Sequence, residues 1–424
     1  MTQKTFLGAV QVSLDMINDV MFLCESRTKP TYFTRQGENN KLPFVHLVWF
    51  CLSFVRKTLQ LELHDFFHQL RPGETSISKQ GFSQARQKLS PTAFIKLNDE
   101  VMTWFYADGI PNTFHGYRLL AIDGTVLQLN NVPALREAFG AAGNDKRTYP
   151  RAYAAVLYDL ENKLTLASVI TRYSTPERTV AIDLLEKLNQ FAPQKELILF
   201  DRGYPSRGMF RYLTTHDHHF LMRCPRQAMQ EINQSIQPDQ WIELTDEEGS
   251  MSLRVLRFWL DSGQEEILVT NLLETEFDRA FFQELYFKRW GIEGYYRELK
   301  STLQLENVTG ATSIAVKQDF YAAVYLTNMA ALIKHEANEW IQQEHQGKQL
   351  TYTYQVNANL LIGCLKSYLL RILLASTPGE QEAIFQQMIT EVIRQKIPIR
   401  PGRKCGRPLK KWVNKHPYNR KRCL

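Results

Sequence analysis

The stretch Tyr117-Arg-Leu-Leu-Ala-Ile-Asp123-Gly-Thr-Val-Leu-Gln-Leu129 predicts a strand whose most apolar part ends in a carboxylate. The run from Leu119 to Ile122 has the uninterrupted apolar character of a strand inside a sheet. A second apolar alternation starts at Val126, which favours a continuing strand over the common alternative, an Asp-Gly turn. Asp123 therefore emerges from a rigid element beside an apolar wall.

The same pattern occurs a second time in Glu196-Leu-Ile-Leu-Phe-Asp201-Arg-Gly-Tyr-Pro205. Here too a short apolar strand ends in an aspartate, and a glycine and a proline follow. The alternative role for Asp201 is that of N-cap for the next helix. Because ligands gather at strand ends in sheets of this kind, we expect Asp123 and Asp201 to lie on neighbouring strands at one end of the sheet.

A third acid lies in Tyr286-Phe-Lys-Arg289-Trp-Gly-Ile-Glu293, and Lys300 follows seven residues later. The stretch from Leu285 to Leu303 has no proline and predicts a helix, although each of its two glycines weakens it by up to about 1 kcal/mol. At about 100° per residue, the tyrosine, the arginine, the glutamate and Lys300 share one face. The alternative is an ordinary solvated helix face, with Arg289 and Glu293 as an i,i+4 ion pair.

This face suits a divalent metal ion that lies beside a phosphate. Glu293 can ligate the metal, while Arg289 and Lys300 can hold phosphate oxygens. Tyr286 can donate a hydrogen bond to one of these oxygens. The closing helix, placed over the two strand ends, is therefore predicted to complete one site.

Asp123, Asp201 and Glu293, here called the acidic triad, supply hard oxygen ligands for two Mg²⁺ ions, with Mn²⁺ as a substitute. Two such ions, about 3.5–4 Å apart, clamp the attacking and leaving oxygens of an in-line phosphoryl displacement. The sequence shows no defensible Ser-His-Asp or Cys-His arrangement, no glycine-rich phosphate loop and no His-Glu-x-x-His pair. A metal-dependent reaction without a covalent protein nucleophile is the expected chemistry.

The order Asp, Asp, Glu, with Tyr-x2-Arg-x3-Glu-x6-Lys around the glutamate, resembles the bacterial DDE transposases of the IS-four type, named for their YREK signature. The Asp-Gly-Thr and Asp-Arg-Gly-Tyr motifs also match, and the resemblance runs from about Leu119 to about Val308. It implies that the acidic triad is catalytic and binds the metals. It also implies that Tyr286, Arg289 and Lys300 contact the transposon-end strand.

By this resemblance the chain is expected to be the transposase of an insertion sequence. Such an enzyme binds terminal inverted repeats of double-stranded DNA, cleaves there, and transfers the strand into target DNA, by cut-and-paste. A homodimer that bridges two DNA ends is expected as well. Two alternatives remain open: an RNase H-like DNA endonuclease without strand transfer, and a DNA-binding protein that has lost catalysis.

The expected fold class is α/β, with an RNase H-like catalytic core flanked by helical N- and C-terminal regions. The core is expected at 111–310, with a hairpin at 152–173, a helix at 180–191 and an irregular crossing at 130–150. A β-rich insertion is expected at about 207–280. A helical N-terminal DNA-binding region (1–110), a helical C-terminal region with a dimer contact (311–396) and a basic tail (397–424) complete the expected organisation.

Two tryptophans are candidates for holding a DNA base that is flipped out of the stack, a role that the resemblance implies for the insertion. Trp259 lies on a predicted strand of the insertion, and Trp290 lies next to Arg289. For each of them we favour the alternative, which is a tryptophan buried in the core.

The N-terminal region contains a possible helix-turn-helix. In Ser76-Ile-Ser-Lys-Gln-Gly81-Phe-Ser83-Gln-Ala-Arg86-Gln-Lys88-Leu89, serines stand at possible cap positions and a basic-polar helix follows the glycine. This helix would present Ser83, Gln84, Arg86 and Lys88 to DNA. The alternative is a capped surface helix.

Charge is concentrated at the C-terminal end. Of the 51 Lys and Arg residues, twelve lie from Arg394 to Leu424 without any acid, which leaves 39 bases against 44 acids elsewhere. Such a tail predicts a phosphate-binding arm, and an arginine in an A·T-rich minor groove is the alternative. The six scattered cysteines, the lack of a long apolar stretch and the absence of a signal-peptide pattern indicate a cytoplasmic protein with no membrane partner. The resemblance implies that it works at the bacterial nucleoid.

Overall fold

The computed structural model describes residues 5–34, 41–53, 57–73, 75–107, 111–144, 147–260, 263–272 and 277–400. Most of the basic tail expected at 397–424 lies outside these residues. The chain divides into two compact units. The helical unit comprises Met1–Phe105, Leu127–Ala152 and Leu299–Leu424, and the sheet unit comprises Tyr106–Val126 and Tyr153–Glu298.

The first part of the chain is helical, as expected. Its helices are α1 (Phe6–Asn18), α2 (Val20–Glu25), α3 (Phe44–Cys51), α4 (Leu59–Leu70), α5 (Lys79–Arg86) and α6 (Thr92–Ala107). Aromatic and aliphatic side chains form the core of this region, with Phe50 packed edge-on against Phe66 and Phe82. These three rings join α3, α4 and α5 through edge-to-face contacts, which stabilise such packing beyond the area they bury.

One large mixed sheet dominates the middle of the chain. Its strands are β1 (Arg118–Gln128), β2 (Ala141–Asn144), β3 (Arg147–Asp159), β4 (Leu164–Arg172), β5 (Glu196–Phe200), β6 (His219–Cys224), β7 (Asp239–Asp246), β8 (Gly249–Trp259) and β9 (Glu265–Thr270). The strand order is β2-β3-β1-β5-β6-β9-β8-β7, and β4 pairs with β3. Strands β1, β5 and β6 are parallel, whereas β6, β9, β8 and β7 pair in antiparallel fashion.

The expected irregular crossing at 130–150 is wrong. A short helix, α7 (Pro133–Phe139), and strand β2 occupy this stretch, and β2 pairs with β3. Pro133 stands in the first turn of α7, where its missing N–H costs nothing. Gly140 ends the helix with a φ of 84°, a conformation that glycine adopts without strain. The glycines and prolines of this stretch thus mark the ends of short elements.

The strands expected at 207–280 continue the central sheet. Helix α8 (Glu177–Glu186) and a 3₁₀ turn (Lys187–Gln190) lead into β5, and α9 (Arg207–Thr215) then connects β5 to its parallel neighbour β6. After a short helix, α10 (Gln230–Gln234), the strands β7, β8 and β9 add to the far edge. β8 is paired on both edges, and consecutive residues from Leu253 to Phe258 are buried, so side chains are covered on both of its faces.

The remaining helices follow the third acid of the triad. They are α11 (Arg279–Lys288), α12 (Trp290–Arg297), a π-helical turn (Glu298–Thr302), α13 (Ser313–His345), α14 (Ala358–Leu374) and α15 (Pro378–Arg394). The three helices expected beyond residue 310 are confirmed, and a two-stranded pair, β10 (Tyr354–Gln355) with β11 (Ile397–Pro398), accompanies them. No helix within the described ranges is long and apolar enough to cross a membrane.

Candidate active site

The parallel strands align two members of the acidic triad. Ile122 on β1 is in register with Phe200 on β5, and Phe200 is in register with Met222 on β6. All three side chains of this row are fully buried. The next row along the strands contains Asp123 and Asp201, and both are only partly buried. Neighbouring strands lie about 4.8 Å apart, so the two aspartates lie side by side where the apolar interior ends.

Helices α11 and α12 bring the third acid to the same place. The helix expected at 285–303 is confirmed, although it starts earlier, at Arg279, with Asp278 as its N-cap. Arg289 links α11 to α12 and itself keeps helical dihedral angles (φ −52°, ψ −33°). The helical path is therefore continuous enough to place Glu293 one turn after Arg289, as the spacing predicts.

Arg289 lies between two carboxylates of the triad. Its side chain is almost completely buried. One terminal nitrogen lies 3.2 Å from Oε1 of Glu293, and the other lies 3.9 Å from Oδ2 of Asp123. The i,i+4 ion pair with Glu293 is thus present, but it is not a solvated surface pair, because the same guanidinium also faces the end of β1.

Further contacts fix the position of Asp123. The hydroxyl of Tyr296, on α12, donates a 2.6 Å hydrogen bond to the backbone carbonyl of Asp123. The N–H of Gly124 donates to its carboxylate at 2.8 Å. A Cβ at position 124 would lie 1.9 Å from the hydroxyl of Tyr153, so only glycine fits there without displacing that ring. The Asp-Gly pair is therefore required by close packing and not by a turn.

The pKa of Asp123 is raised from 3.8 to about 6, chiefly because burial disfavours its charged form. The hydrogen bond from Gly124 and the charge of Arg289 act in the opposite direction, whereas the charges of Asp201 and Glu293 raise the pKa further. The three carboxylates of the triad thus interact electrostatically. A site of this kind attracts positive charge.

The donor set suits a hard divalent cation, since all three groups are carboxylates and a bound cation would offset the repulsion that raises the pKa of Asp123. Within the described residues, no three His, Cys, Asp or Glu side chains are already gathered closely enough to hold a metal ion. In the present side-chain arrangement, the guanidinium of Arg289 lies among the carboxylates instead.

Two buried polar atoms at the site lack hydrogen-bond partners within the described structure. These atoms are the hydroxyl of Tyr286 and Nε of Arg289. Tyr286 is 4% exposed, and the ring lies under the guanidinium of Arg289 at 5.6 Å. An unsatisfied buried donor costs about 1–3 kcal/mol. Buried donors that lie beside a row of carboxylates are suited to a ligand that carries acceptor oxygens.

Lys300, the fourth residue of the predicted stripe, lies in the π-helical turn and belongs to the helical unit. Its Nζ is 4.0 Å from Oε1 of Glu306, and burial lowers its pKa. A π-helical turn contains more residues than an α-helical one, so the steady 100° step assumed from the sequence does not hold as far as Lys300. Its contact with DNA stays a prediction.

Known proteins are similar to this chain in sequence. The family described as "Transposase DDE domain" matches residues 114–329, which is about half of the chain. The chain belongs to the DDE transposases. This DDE transposase is 23% identical over 409 residues to the transposase InsG of insertion sequence element IS4 from Escherichia coli (strain K12), with 89% of this chain and 87% of the relative covered. The IS-four type expected from the YREK signature is thereby confirmed.

A solved structure is also similar to this DDE transposase. It is the cryo-EM structure of the piggyBac transposase synaptic complex with hairpin DNA. The sequences are 10% identical, the TM-score is 0.47, and the match covers 91% of this chain and 85% of the other.

The two tryptophans correct an expectation. Trp290 is 49% exposed and Trp259 is 71% exposed, so the preferred interpretation, burial in the core, is wrong for both. Trp259 ends β8 just after its buried part and still pairs with Glu265 on β9. Trp290 is exposed at the start of α12, with the guanidinium of Arg289 5.7 Å from its ring. Both rings are accessible to a base, and the base-holding role stays a prediction for each.

Arg86 corrects another expectation. Helix α5 begins at Lys79 with Ser78 as its cap, so Arg86 lies at its end and is 2% exposed. It packs into the helical unit and does not face DNA. Lys88, by contrast, follows α5, is exposed, and has its ammonium 5.7 Å from the ring of Tyr32. Contact with DNA stays a prediction for Lys88, together with the exposed Ser83 and Gln84.

Two residues of the site were missed by the sequence analysis. Arg223 follows Met222 on β6 and so extends the row of Asp123 and Asp201, and its Nε lies 3.3 Å from Oε1 of Glu266 on β9. The signal was present, because an apolar run ends in a charged residue here as it does at Asp201. It was not recognised, since a sequence alone does not show that β6 pairs with β5.

Proposed function

We propose that this DDE transposase is the transposase of an insertion sequence and that it acts on double-stranded DNA. It binds the terminal inverted repeats, cleaves at the element ends and transfers the strands into target DNA by cut-and-paste. The observation that carries the proposal is that Asp123 and Glu293 both face the buried guanidinium of Arg289 at the end of the parallel strands, where Asp201 directly follows β5.

The sheet supports the proposal that residues 111–310 contain an RNase H-like core. Strands β4, β3, β1, β5 and β6 form a continuous block, in which β1 is central and β1, β5 and β6 are parallel. Helix α8 stands between β4 and β5 along the chain, as the sequence predicts for such a core. In this architecture the strand ends carry the aspartates, and a helix supplies the last acid.

The chemistry we propose is phosphoryl transfer with two Mg²⁺ ions, for which Mn²⁺ can substitute. Asp123, Asp201 and Glu293 would hold the ions, which supply electrostatic stabilisation of the attacking and leaving oxygens. Support comes from the hard oxygen donors and from the pKa of Asp123, which is raised chiefly by burial and further by the charges of Asp201 and Glu293.

Other side chains at the site would position the DNA backbone. Arg289 has donors directed at the carboxylates and a buried Nε without a partner, so it can turn part of its fork towards a phosphate. Tyr286 offers an unsatisfied hydroxyl beside it. Lys300 would contact the same strand. Trp290 and Trp259 are exposed rings on which an unstacked base could stack.

We also propose that two copies bridge the two DNA ends and that the protein works in the bacterial cytoplasm at the nucleoid. Helices α13 to α15 supply the long helical region expected to carry the dimer contact. Similarity to a bacterial insertion-sequence transposase supports this setting.

The test is cleavage of a labelled duplex that carries the inverted repeat flanking the gene at its own locus. Wild type and Glu293→Gln are compared in Mg²⁺, in Mn²⁺ and in Ca²⁺. We expect the wild type to cut at the repeat end in Mg²⁺ and Mn²⁺, and to bind without cutting in Ca²⁺. Glu293→Gln should bind the duplex and cut at least about 1000-fold more slowly, since it loses a metal ligand.

Glu284→Gln is the matched control, because Glu284 is an exposed acid on α11. It should cut at the wild-type rate. Adding a target plasmid separates the alternatives, since joined products require a strand-transfer enzyme and an endonuclease leaves only cut ends. Tight binding by the wild type without cutting in any metal ion would reject catalysis and leave a DNA-binding protein.

A further inference from the structure

We propose that Arg223 holds a phosphate of the DNA strand in the active site and that Glu266 is its positioning residue. The inference rests on the proposed function and adds a phosphate-binding group to that site. It is independent of the YREK signature, because neither residue lies in the helix that carries that signature.

The position of Arg223 follows from strand register. Phe200 pairs with Met222 across the parallel strands β5 and β6, so the next residues, Asp201 and Arg223, are neighbours in one row. In parallel strands, residues of one row point to the same face of the sheet. A cation therefore extends the row of carboxylates by one strand.

Glu266 approaches Arg223 from the adjacent antiparallel strand. Arg223 pairs with Leu268, and Glu266 stands two residues further along β9 on the same face as Leu268. Nε of Arg223 lies 3.3 Å from Oε1 of Glu266. The side chain of Glu266 is 11% exposed and that of Arg223 is 29% exposed, so a nearly buried carboxylate holds a cation that still reaches solvent.

The ends of the Arg223 guanidinium remain available. Within the described residues, Glu266 is the one carboxylate that Arg223 contacts, and the contact uses Nε. The two terminal nitrogens, which form the fork that matches a phosphate, have no ion-pair partner besides Glu266 within the described residues. Anchoring through Nε restricts the side chain before any ligand binds, so less conformational entropy is lost when a phosphate is held.

The ion pair between Arg257 on β8 and Glu265 on β9 differs in this respect. Arg257 contacts Glu265 at 2.6 Å and also donates to the backbone carbonyls of Ser235 and Ile232. Its donors are used inside the protein, which is typical of a structural pair. Glu265 also lies 3.8 Å from Nε of Arg226, whose side chain is 75% exposed and is not part of the row of Asp201 and Arg223.

Electrostatics connect the pair to the known part of the site. Burial raises the pKa of Glu266, while the charges of Arg223 and Arg289 lower it and that of Asp201 raises it. Burial raises the pKa of Tyr286, whose hydroxyl lacks a partner within the described residues. The same pKa is also shifted by four nearby charges, those of Arg289, Asp201, Arg223 and Glu266. The pair thus belongs to the same polar cluster as the acidic triad. The donors of Arg223 and Tyr286 in this cluster can bind an anion.

The experiment is a double-mutant cycle, in which Arg223 is mutated in the protein and single phosphates are neutralised in the DNA. Duplexes of the inverted repeat carry a neutral methylphosphonate at one position at a time around the cut. Affinity in Ca²⁺ and single-turnover cleavage in Mg²⁺ are measured for the wild type and for Arg223→Gln. On the unmodified duplex, we expect Arg223→Gln to reduce the affinity and the cleavage rate by about 10- to 100-fold, the effect of losing a hydrogen bond to a charged group.

At one methylphosphonate position, the free-energy effects of the methylphosphonate and of Arg223→Gln should not be additive. At that position, the methylphosphonate should reduce the affinity and cleavage rate of the wild type by the same factor as Arg223→Gln does on the unmodified duplex. The same methylphosphonate should reduce the affinity and rate of Arg223→Gln only slightly further. Arg223→Lys should recover part of the loss, since it keeps the charge without the fork. Melting curves of all variants check folding, and the position-specific coupling would not arise from a general structural defect.

Glu266→Gln should reduce the rate and the coupling at the same phosphate by a smaller factor, about 3- to 10-fold, because the arginine remains but is less restrained. Glu265→Gln is its matched control and should cut and couple like the wild type. If Arg223→Gln is fully additive with every methylphosphonate, or if Glu265→Gln behaves like Glu266→Gln, the inference is wrong. If the wild type binds but never cuts, the proposed catalysis fails, and the binding cycle in Ca²⁺ still decides the role of Arg223. A wild type that does not bind the repeat overturns both.

Discussion

Asp123 is positioned by residues of two different elements. Its carbonyl accepts from Tyr296 on α12, and its carboxylate accepts from the N–H of Gly124 on its own strand. Arg289 faces it from the link between α11 and α12. Because the backbone and the side chain are both held, a small movement of the helix moves the carboxylate as well. The position of the Asp123 carboxylate therefore depends on the position of α12.

Tyr286→Phe separates a ligand-binding role from a structural one. The hydroxyl is buried without a partner, so its removal should leave the free energy of unfolding unchanged or raise it by up to about 1 kcal/mol. Cleavage of the inverted repeat should nevertheless fall by about 10-fold, since a hydrogen bond to phosphate is lost. Urea unfolding and single-turnover cleavage measure the two effects.

Tyr295→Phe is the control for this change, because Tyr295 lies on α12 and packs its ring 4.7 Å from that of Tyr158. It should leave cleavage unchanged. A parallel loss of stability and cleavage in Tyr286→Phe would mean that the hydroxyl supports the fold, and the ligand-binding role would be rejected.

Among the elements, α5 is joined to α13 by a buried arginine. Arg86 donates to Gln318 at 2.8 Å, to Thr309 at 2.6 Å and to Asp319 at 2.8 Å. It also donates to the carbonyl of Ala315 at 3.2 Å. A buried guanidinium needs such partners, since an unpaired charge away from water is costly. The helix expected to touch DNA instead uses its arginine to hold two distant parts of the helical unit together.

Arg86→Met should destabilise the protein by about 3–5 kcal/mol, because it leaves Asp319 without its main partner inside the structure. DNA affinity per folded molecule should not change. Lys88→Met is the matched control from the same segment, and its stability should stay within about 0.5 kcal/mol of wild type. Thermal unfolding and equilibrium DNA binding check both. A loss of affinity in folded Arg86→Met would contradict the structural role.

Helix α13 also holds the start of α1. Glu336 accepts a hydrogen bond from the N–H of Phe6, in the first turn of α1. Its pKa is raised from 4.5 to about 7, chiefly by burial and also by the charges of Glu339 and Glu382, while the bond from Phe6 lowers it. The native state therefore binds this proton more tightly than the unfolded chain does. Stability from this group is fully present below pH 4.5 and is lost as the pH rises through 7.

Glu336→Gln should flatten this pH dependence, since glutamine keeps the acceptor and cannot ionise. Between pH 5 and pH 8 the free energy of unfolding of the wild type should fall by about 1–3 kcal/mol more than that of the variant. Urea unfolding at both pH values measures the difference. Glu284→Gln, which removes an exposed acid on α11 whose charge does not act on Glu336, should retain the wild-type dependence. Equal slopes for wild type and Glu336→Gln would show that Glu336 is not the titrating group.

At the scale of the whole molecule, the sequence predicted most elements and the three acids, because both follow from local patterns. Apolar runs that end in Asp123 and Asp201 mark strand ends, and the spacing of Arg289 and Glu293 marks a helix face. One error concerns elements, because α7 and β2 occupy the crossing expected at 130–150. The other errors concern burial. Trp259 and Trp290 are exposed and Arg86 is buried, and burial depends on distant partners that no local pattern contains. The role proposed for Arg223 likewise required the pairing of β5 with β6.

The basic tail is tested by deleting residues 401–424, which removes nine of the twelve clustered bases. If the tail binds phosphates, each lost contact should reduce the slope of log affinity against log salt by about 0.9. The loss in affinity should therefore be large at low salt and small at high salt. Cleavage at saturating protein should stay within about two-fold of wild type, because the tail supplies no metal ligand. An unchanged salt slope would reject the arm.

The bond between Arg86 and Asp319 joins residues that are 233 positions apart. A ribosome that adds about 5–20 residues per second needs roughly 10–50 seconds to make the intervening chain. During that time the guanidinium on α5 and the face of α1 that packs on α13 have no α13 to contact. The helical unit can close only after the sheet unit has been synthesised in full. Chaperones that shield exposed apolar surface on nascent chains should therefore associate with the first hundred residues until α13 emerges.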